Sequence, residues 1–162
     1  MRPSIFDPLS SIFNEFDGHQ TNDHRDDFGH DVIEQTATGL GPCRVSLKPF
    51  KKGVDKRLLL THSPFKIDNA FDQPGPVFIN AEEVEEYTDV HRFPPEIKAD
   101  KKHFHLTLIG YDKNQMMVYT KLVGDNDIDE MIIKIFEDHP EVLYLHARSA
   151  EACCYICKIE RA

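Results

Sequence analysis

The chain has 162 residues, 40% hydrophobic and 29% charged, which fits one ordinary globular domain with length to spare. A net charge of −9 and a pI of about 5.4 argue against the basic face of a nucleic-acid module, so no DNA or RNA partner is expected. No apolar run approaches the length of a membrane-spanning helix, so no membrane span is expected.

The acidity is uneven. Residues 1–38 hold eight Asp/Glu against Arg2 and Arg25, a net of −6, which leaves −3 for the remainder. The chain divides accordingly into an N-terminal extension, 1–38, and a core domain, 39–162. In the extension, Ile5, Phe6, Leu9, Ile12, Phe13 and Phe16 recur at helical spacing and form an apolar stripe. Pro8 is tolerated only in a first helical turn, so the helix is placed from about Asp7. Asp17 to Asp31 is a run of Asp, His, Asn and Gly with little to bury, which reads as a disordered acidic tether. Its His19, His24 and His30 lie among aspartates and read as a solvated linker with adventitious metal affinity.

In the core, Cys43, Val45 and Leu47 alternate with Arg44 and Ser46 as in a strand. Arg57 to Thr61 and Val77 to Ile79 are further strands around a loop over 62–74, and Ala81 to Tyr87 reads as a helical turn before the Pro94-Pro95 break. His103 to Ile109 and Met116 to Val123 form a hairpin about Tyr111-Asp-Lys-Asn114. Ile128, Met131, Ile132, Ile135 and Phe136 mark the main helix, capped by Asp125 or Asp127 and stopped at His139-Pro140. Val142 to His146 and Cys154 to Ile159 are the last strands. The fold class expected is α+β: a mixed, largely antiparallel sheet of six or seven strands with one main helix on a face, plus the N-terminal helical extension.

The chemistry-bearing residues are few. Cys154-x-x-Cys157 resembles a redox or zinc pair, but it falls in a predicted strand rather than at a helix N-terminus, so structural cysteines are expected. Alternation places Cys153 and Cys157 on one face and Cys154 on the other. His103-x-His105 places two rings on one strand face, a spacing seen in metal sites, with His146 as a third candidate; partly exposed strand histidines are the plainer account. Arg44, His146 and Arg148 can gather into an anion pocket, since a guanidinium forks onto carboxylate or phosphate; an internal ion pair is the plainer account. No nucleophile–base pair, phosphate loop or nucleophile elbow accompanies them.

A series of short blocks carries a family resemblance: Pro42-Cys-Arg-Val-Ser-Leu47, Leu58-Leu-Leu60, Ser63-Pro-Phe65, Gly75-Pro-Val-Phe-Ile79, Tyr111-Asp112, Met117-Val118, Leu145-His146 through Ala150, Cys154-Tyr155 and Ile159-Glu-Arg161. Over roughly residues 42–161 the chain resembles a bacterial domain-of-unknown-function family, number 1203. The resemblance implies a second histidine where Arg148 stands, an asparagine at Ser149, a glycine at Cys153, and an arginine near Tyr111 where this chain has Ile109. It implies no activity.

Two functions are expected as alternatives. One is a non-catalytic interaction module, an accessory subunit of a larger protein assembly docked through Ile5, Phe6, Leu9, Ile12, Phe13 and Phe16. The other is a domain that binds a small anionic ligand, or a small enzyme, using Arg44, His146, Arg148 and Cys154. No catalytic residue, cofactor or metal is expected. The start lacks the features of a secretory signal and is too acidic for an Arg-rich transit peptide. The crowded Cys153, Cys154 and Cys157 do not form a spread disulfide framework. An intracellular, reducing compartment is therefore expected, whether cytoplasm or organelle matrix.

Overall fold

Leu106 and Leu108 alternate with Thr107 and Ile109, and this period of two builds an interior strand of the larger sheet. The structure is a computed structural model that describes residues 4–6, 25–65 and 69–161. Its strands are β1 (Ser4–Phe6), β2 (Ile33–Thr36), β3 (Lys56–His62), β4 (Gly75–Asn80), β5 (Leu106–Tyr111), β6 (Met117–Leu122), β7 (Tyr144–Ser149) and β8 (Tyr155–Glu160), and its helices are α1 (Pro95–Ala99) and α2 (Ile128–Asp138). The strands form a five-stranded sheet in the order β1-β8-β7-β5-β6 and a three-stranded sheet in the order β2-β3-β4. Every pairing among the described residues is antiparallel. The α+β class holds, whereas the single mixed sheet of six or seven strands resolves into two antiparallel ones.

The five-stranded sheet buries one face against α2. Ile128, Ile132, Ile135 and Phe136 are buried at the spacing the sequence shows, and they join Leu106, Leu108, Leu145, Ala147, Cys157 and Ile159 in one apolar core. Asp127 caps α2, accepting from the backbone N–H of Asp129 at 3.0 Å and of Glu130 at 3.1 Å. Val45 packs elsewhere and Val118 is exposed, so neither touches the helix as the strand pattern implied. A second core, with Cys43, Val45, Phe50, Leu60, Val77 and Ile79, covers the three-stranded sheet.

Several local expectations are corrected. Cys43 to Leu47 is a turn, not a strand: Cys43 N–H donates to Lys48 O at 3.0 Å, Leu47 N–H returns to Cys43 O at 2.9 Å, and Leu47 has φ 52°. All five residues are buried, so the apparent alternation marks no exposed face. Residues 81–87 are not helical. Pro94-Pro95 starts a helix instead of ending structure, because proline suits the first helical position. His103 lies in a turn and His105 just before β5; they pair with separate carboxylates, Asp100 at 2.8 Å and Glu151 at 2.7 Å, and form no shared metal face.

The extension is also more integrated than its composition implies. Ile33–Thr36 pairs with β3. Asp26, 8% exposed, accepts from the backbone N–H of Phe28, His30 and Thr61 at 2.9, 3.0 and 2.7 Å. Burial pushes the Asp26 carboxyl up, but these N–H donors outweigh it and lower its pKa. Residues 25–31 are thereby pinned to β3 rather than left as tether. Ser4–Phe6, which holds Ile5 and Phe6 of the expected helical stripe, is extended and pairs with β8. Leu9, Ile12, Phe13, Phe16, His19 and His24 lie outside the described residues.

The α2 account predicts that Ile132→Ala destabilises by about 2–5 kcal/mol and Asp127→Ala by about 0.5–2 kcal/mol, read from urea unfolding midpoints. An unchanged midpoint for Ile132→Ala would mean that the helix packs through another face.

Candidate functional site

The face of the five-stranded sheet away from α2 carries the polar groups. Leu145 and Ala147 point into the α2 core, so Tyr144, His146 and Arg148 emerge on the opposite face of β7. β8 would ordinarily alternate out of step with them. Ala147 pairs with Cys157 but Arg148 pairs with Tyr155, which leaves Ile156 as the extra residue of a β-bulge. The bulge sends both Ile156 and Cys157 toward the α2 core and returns Tyr155 to the face of His146. It also overturns the expected cysteine pattern. Cys157 is fully buried in the core, Cys153 is exposed in the turn with φ 61°, and Cys154 precedes the strand, half-buried. None of the four cysteines is in a disulfide.

Four aromatic rings enclose His146. Their centroids lie 5.1 Å (Phe65), 4.8 Å (Tyr111), 5.3 Å (Tyr144) and 5.2 Å (Tyr155) from the imidazole. Tyr111 stacks on Tyr144 at 5.3 Å, and Phe65 meets Tyr111 edge-on at 5.1 Å. His62, at the end of β3, reaches the same cluster, its ring 5.6 Å from that of Tyr155. His146 is 0% exposed, and neither of its ring nitrogens has a hydrogen-bond partner among the described residues. His62 Nε2 is likewise buried without one.

Two arginines are buried beside these rings. Arg44 is engaged by backbone: Nε donates to Tyr155 O at 2.7 Å and Nη1 to Pro42 O. Arg148 is 5% exposed, and its Nη1 donates to Cys153 O at 3.0 Å. Its Nε and Nη2 are buried with no partner among the described residues. Those two atoms form the side edge of the guanidinium, the fork that meets a carboxylate or phosphate with two parallel hydrogen bonds. Lys158, beside His146 through strand pairing, sits 4.6 Å over the Tyr144 ring and pairs with Glu160 at 2.5 Å.

The electrostatics follow from burial among cations. Desolvation and then the charges of Arg148, Lys158 and His62 hold His146 far below the usual imidazole range. Desolvation and then Arg44 bring His62 down to about 4. Burial raises Tyr111 although the charge of Arg148 and a hydrogen bond to it pull the other way, and burial raises Tyr144 with help from Tyr111 and Asp112. At neutral pH His62, His146, Tyr111 and Tyr144 are therefore uncharged, and Arg44, Arg148 and Lys158 supply the local positive charge.

Of the residues singled out by sequence, His146 and Arg148 share one face of β7, and Arg44 reaches the carbonyl of Tyr155, whose ring borders His146. Cys154 stays apart, its thiol directed at Ala152 O at 3.5 Å. Sequence reasoning missed His62, Phe65, Tyr111, Tyr144 and Tyr155 as site residues. Phe65, Tyr111 and Tyr155 each fall within a resemblance block, and those blocks converge on His146. Ile109 pairs directly with His146, so an apolar side chain occupies the position for which the resemblance implied arginine. Cys153, at the position for which it implied glycine, adopts the left-handed conformation that glycine favours. Among the described residues no group of three or more His, Cys, Asp or Glu is placed to hold a metal ion.

These pKa shifts have a testable sign. Both folded-state values lie below the unfolded imidazole value of about 6.5, so on acidification the unfolded chain takes up protons that the folded site refuses. Stability should be complete above about pH 6.5 and fall toward pH 4, by about 1.4 kcal/mol per pH unit for each such histidine. Urea unfolding between pH 7 and pH 4.5 should show a shallower decline for His146→Phe than for the parent chain. Equal slopes would contradict the burial of a neutral imidazole at this position.

No helix among the described residues is long and apolar enough to cross a membrane. No curated protein and no solved structure matches the chain. A family model described as "Protein of unknown function (DUF1203)" matches residues 41–161, and the chain belongs to that family.

Proposed function

We propose that the chain binds a small anionic molecule, a carboxylate or phosphate ester, on the Nε–Nη2 edge of Arg148, beside the aromatic cluster around His146. The observation that carries this reading is the buried, unpartnered fork of Arg148. A buried donor left without an acceptor costs about 1–3 kcal/mol, and more when it is charged. A native fold that keeps such a group satisfies it with a bound water, an ion or a ligand, or keeps it for function. A neutral His146 offers one donor and one acceptor nitrogen, which fits a hydroxyl or carbonyl group next to the anionic group. Binding, not catalysis, is the reading favoured, since an imidazole held so far below its usual range is a weak base.

The accessory-subunit alternative rests on the apolar stripe of the extension, whose residues beyond Phe6 lie outside the described residues. Ser4–Phe6 pairs within its own chain, and nothing among the described residues favours that alternative.

The test is a calorimetric titration with inorganic phosphate and with a panel of small hydroxycarboxylates. One class of anion should bind saturably, and Arg148→Lys, which keeps the charge but removes the fork, should weaken it about tenfold or more. At a ligand concentration 100 times the Kd, the folded state should gain about 2.7 kcal/mol. Equal affinity in Arg148→Lys and the parent chain would remove Arg148 as the seat, and no binding by any of these anions would remove the reading itself.

A further inference from the structure

The anchor of Arg148 is the carbonyl of an exposed cysteine that is followed directly by a second cysteine. Resting on the anion-site reading, we propose that Cys153 and Cys154 form a modifiable dithiol whose closure to a vicinal disulfide, by exchange with a low-molecular-weight disulfide, displaces the anchor of Arg148 and weakens anion binding.

Three observations carry this. First, Cys153 is exposed and Cys154 half-buried, whereas Cys43 and Cys157 are buried, so the reachable thiols are adjacent in sequence. Second, Cys153 lies outside β8 with φ 61°. Neighbouring side chains in a strand point to opposite faces; in this left-handed turn that geometry does not apply. Third, the Cys153 carbonyl, which accepts from Arg148 Nη1 at 3.0 Å, belongs to the peptide that a Cys153–Cys154 disulfide ring must contain. The Cα atoms across that trans peptide are about 3.8 Å apart, short of the roughly 4.4–6.8 Å usual for a disulfide. Ring closure therefore has to rotate or distort this peptide. The turn is tied to β7 at both ends, with Cys153 N–H donating to Ser149 O at 2.9 Å and Ser149 N–H donating to Cys154 O at 3.0 Å. A rotation there reaches the end of the strand that bears Arg148. Strain in the ring also keeps the bond easily reduced, so the modification reverses under a thiol pool.

The chemistry balances with oxidised glutathione as oxidant. The Cys153 thiolate attacks one of its sulfurs, breaks the S–S bond and releases one reduced glutathione, leaving a mixed disulfide. The Cys154 thiolate then attacks the Cys153 sulfur and releases a second reduced glutathione. The two cysteine protons end on the two released thiols, the cysteine pair is oxidised and glutathione disulfide is reduced.

The full chain, folded and reduced, is treated with oxidised glutathione, and three quantities are read: intact and peptide mass, the Nε–H resonance of Arg148, and phosphate affinity. The expected result is loss of the mass of two hydrogen atoms at the Cys153–Cys154 peptide, a shifted Arg148 resonance, phosphate binding weakened about tenfold or more, and recovery of all three on reduction. Cys154→Ser should stop at the mixed disulfide, and Cys153→Gly, which suits the positive φ, should show no response. Formation of mixed disulfides only in the parent chain, or a vicinal disulfide that leaves the Arg148 resonance in place, would overturn the proposal. The Arg148 resonance reports without any bound anion, so a reduced protein that binds no phosphate counts against the anion reading and leaves this switch to be judged on that resonance.

Discussion

The hydrogen bond from Arg148 Nη1 to the Cys153 carbonyl fixes a guanidinium inside the protein with one edge satisfied and the other open. A charge in this position is expensive to desolvate, by several kcal/mol after relaxation, and an apolar residue would pack there at lower cost. The surroundings relieve it only in part: the neighbouring imidazole and phenols are kept neutral by burial, and of these only the Tyr111 hydroxyl bonds to it. A buried charge with two donor atoms left over is informative because the rest of the domain obeys the ordinary rules. The α2 core is apolar and capped, and Asp26, the buried carboxylate of the N-terminal region, has its acceptors filled by backbone N–H groups.

The bulge at Ile156 links this constraint to the fold. Without it, the alternation that buries Cys157 and Ile159 against α2 would turn Tyr155 toward the core and Ile156 toward His146. One inserted residue gives α2 two adjacent apolar contacts and gives the opposite face a tyrosine. Arg44 then holds the carbonyl of that tyrosine, which ties the turn between β2 and β3 to the edge of the site. Strand pairing supplies the remaining neighbours: Tyr111 opposite Tyr144, and Ile109 opposite His146. Phe65 and His62 arrive from the end of β3 and the loop after it.

How much of this was readable in the residues depended on whether one period governed a segment. Ile128 to Phe136 follows a single helical period, and it packs as its spacing implies. The β5–β6 hairpin and the last two strands were likewise legible to within a few residues. Cys43 to Leu47 was not, because a fully buried turn and a half-buried strand can share the same five letters. Residues 25–36 were misjudged for another reason: their composition is polar, and their order comes from Asp26 and from pairing with β3, contacts that no local pattern announces. In the site, Arg44, His146 and Arg148 could be named because strand alternation placed His146 and Arg148 on one face. Cys154 could not be placed correctly, since the bulge breaks the alternation just after it. The aromatic wall was visible only as unconnected blocks, and three-dimensional convergence on His146 gives them a common purpose.

The central claim is that the open edge of Arg148 is a seat for an anion. A crystal structure of the full chain, purified without anionic buffers and then equilibrated with phosphate, tests it most directly. The account predicts tetrahedral density within hydrogen-bonding distance of both Nε and Nη2, with Nη1 still on the Cys153 carbonyl. An Arg148 edge closed instead by a carboxylate of the chain itself, with no anion bound, would contradict it.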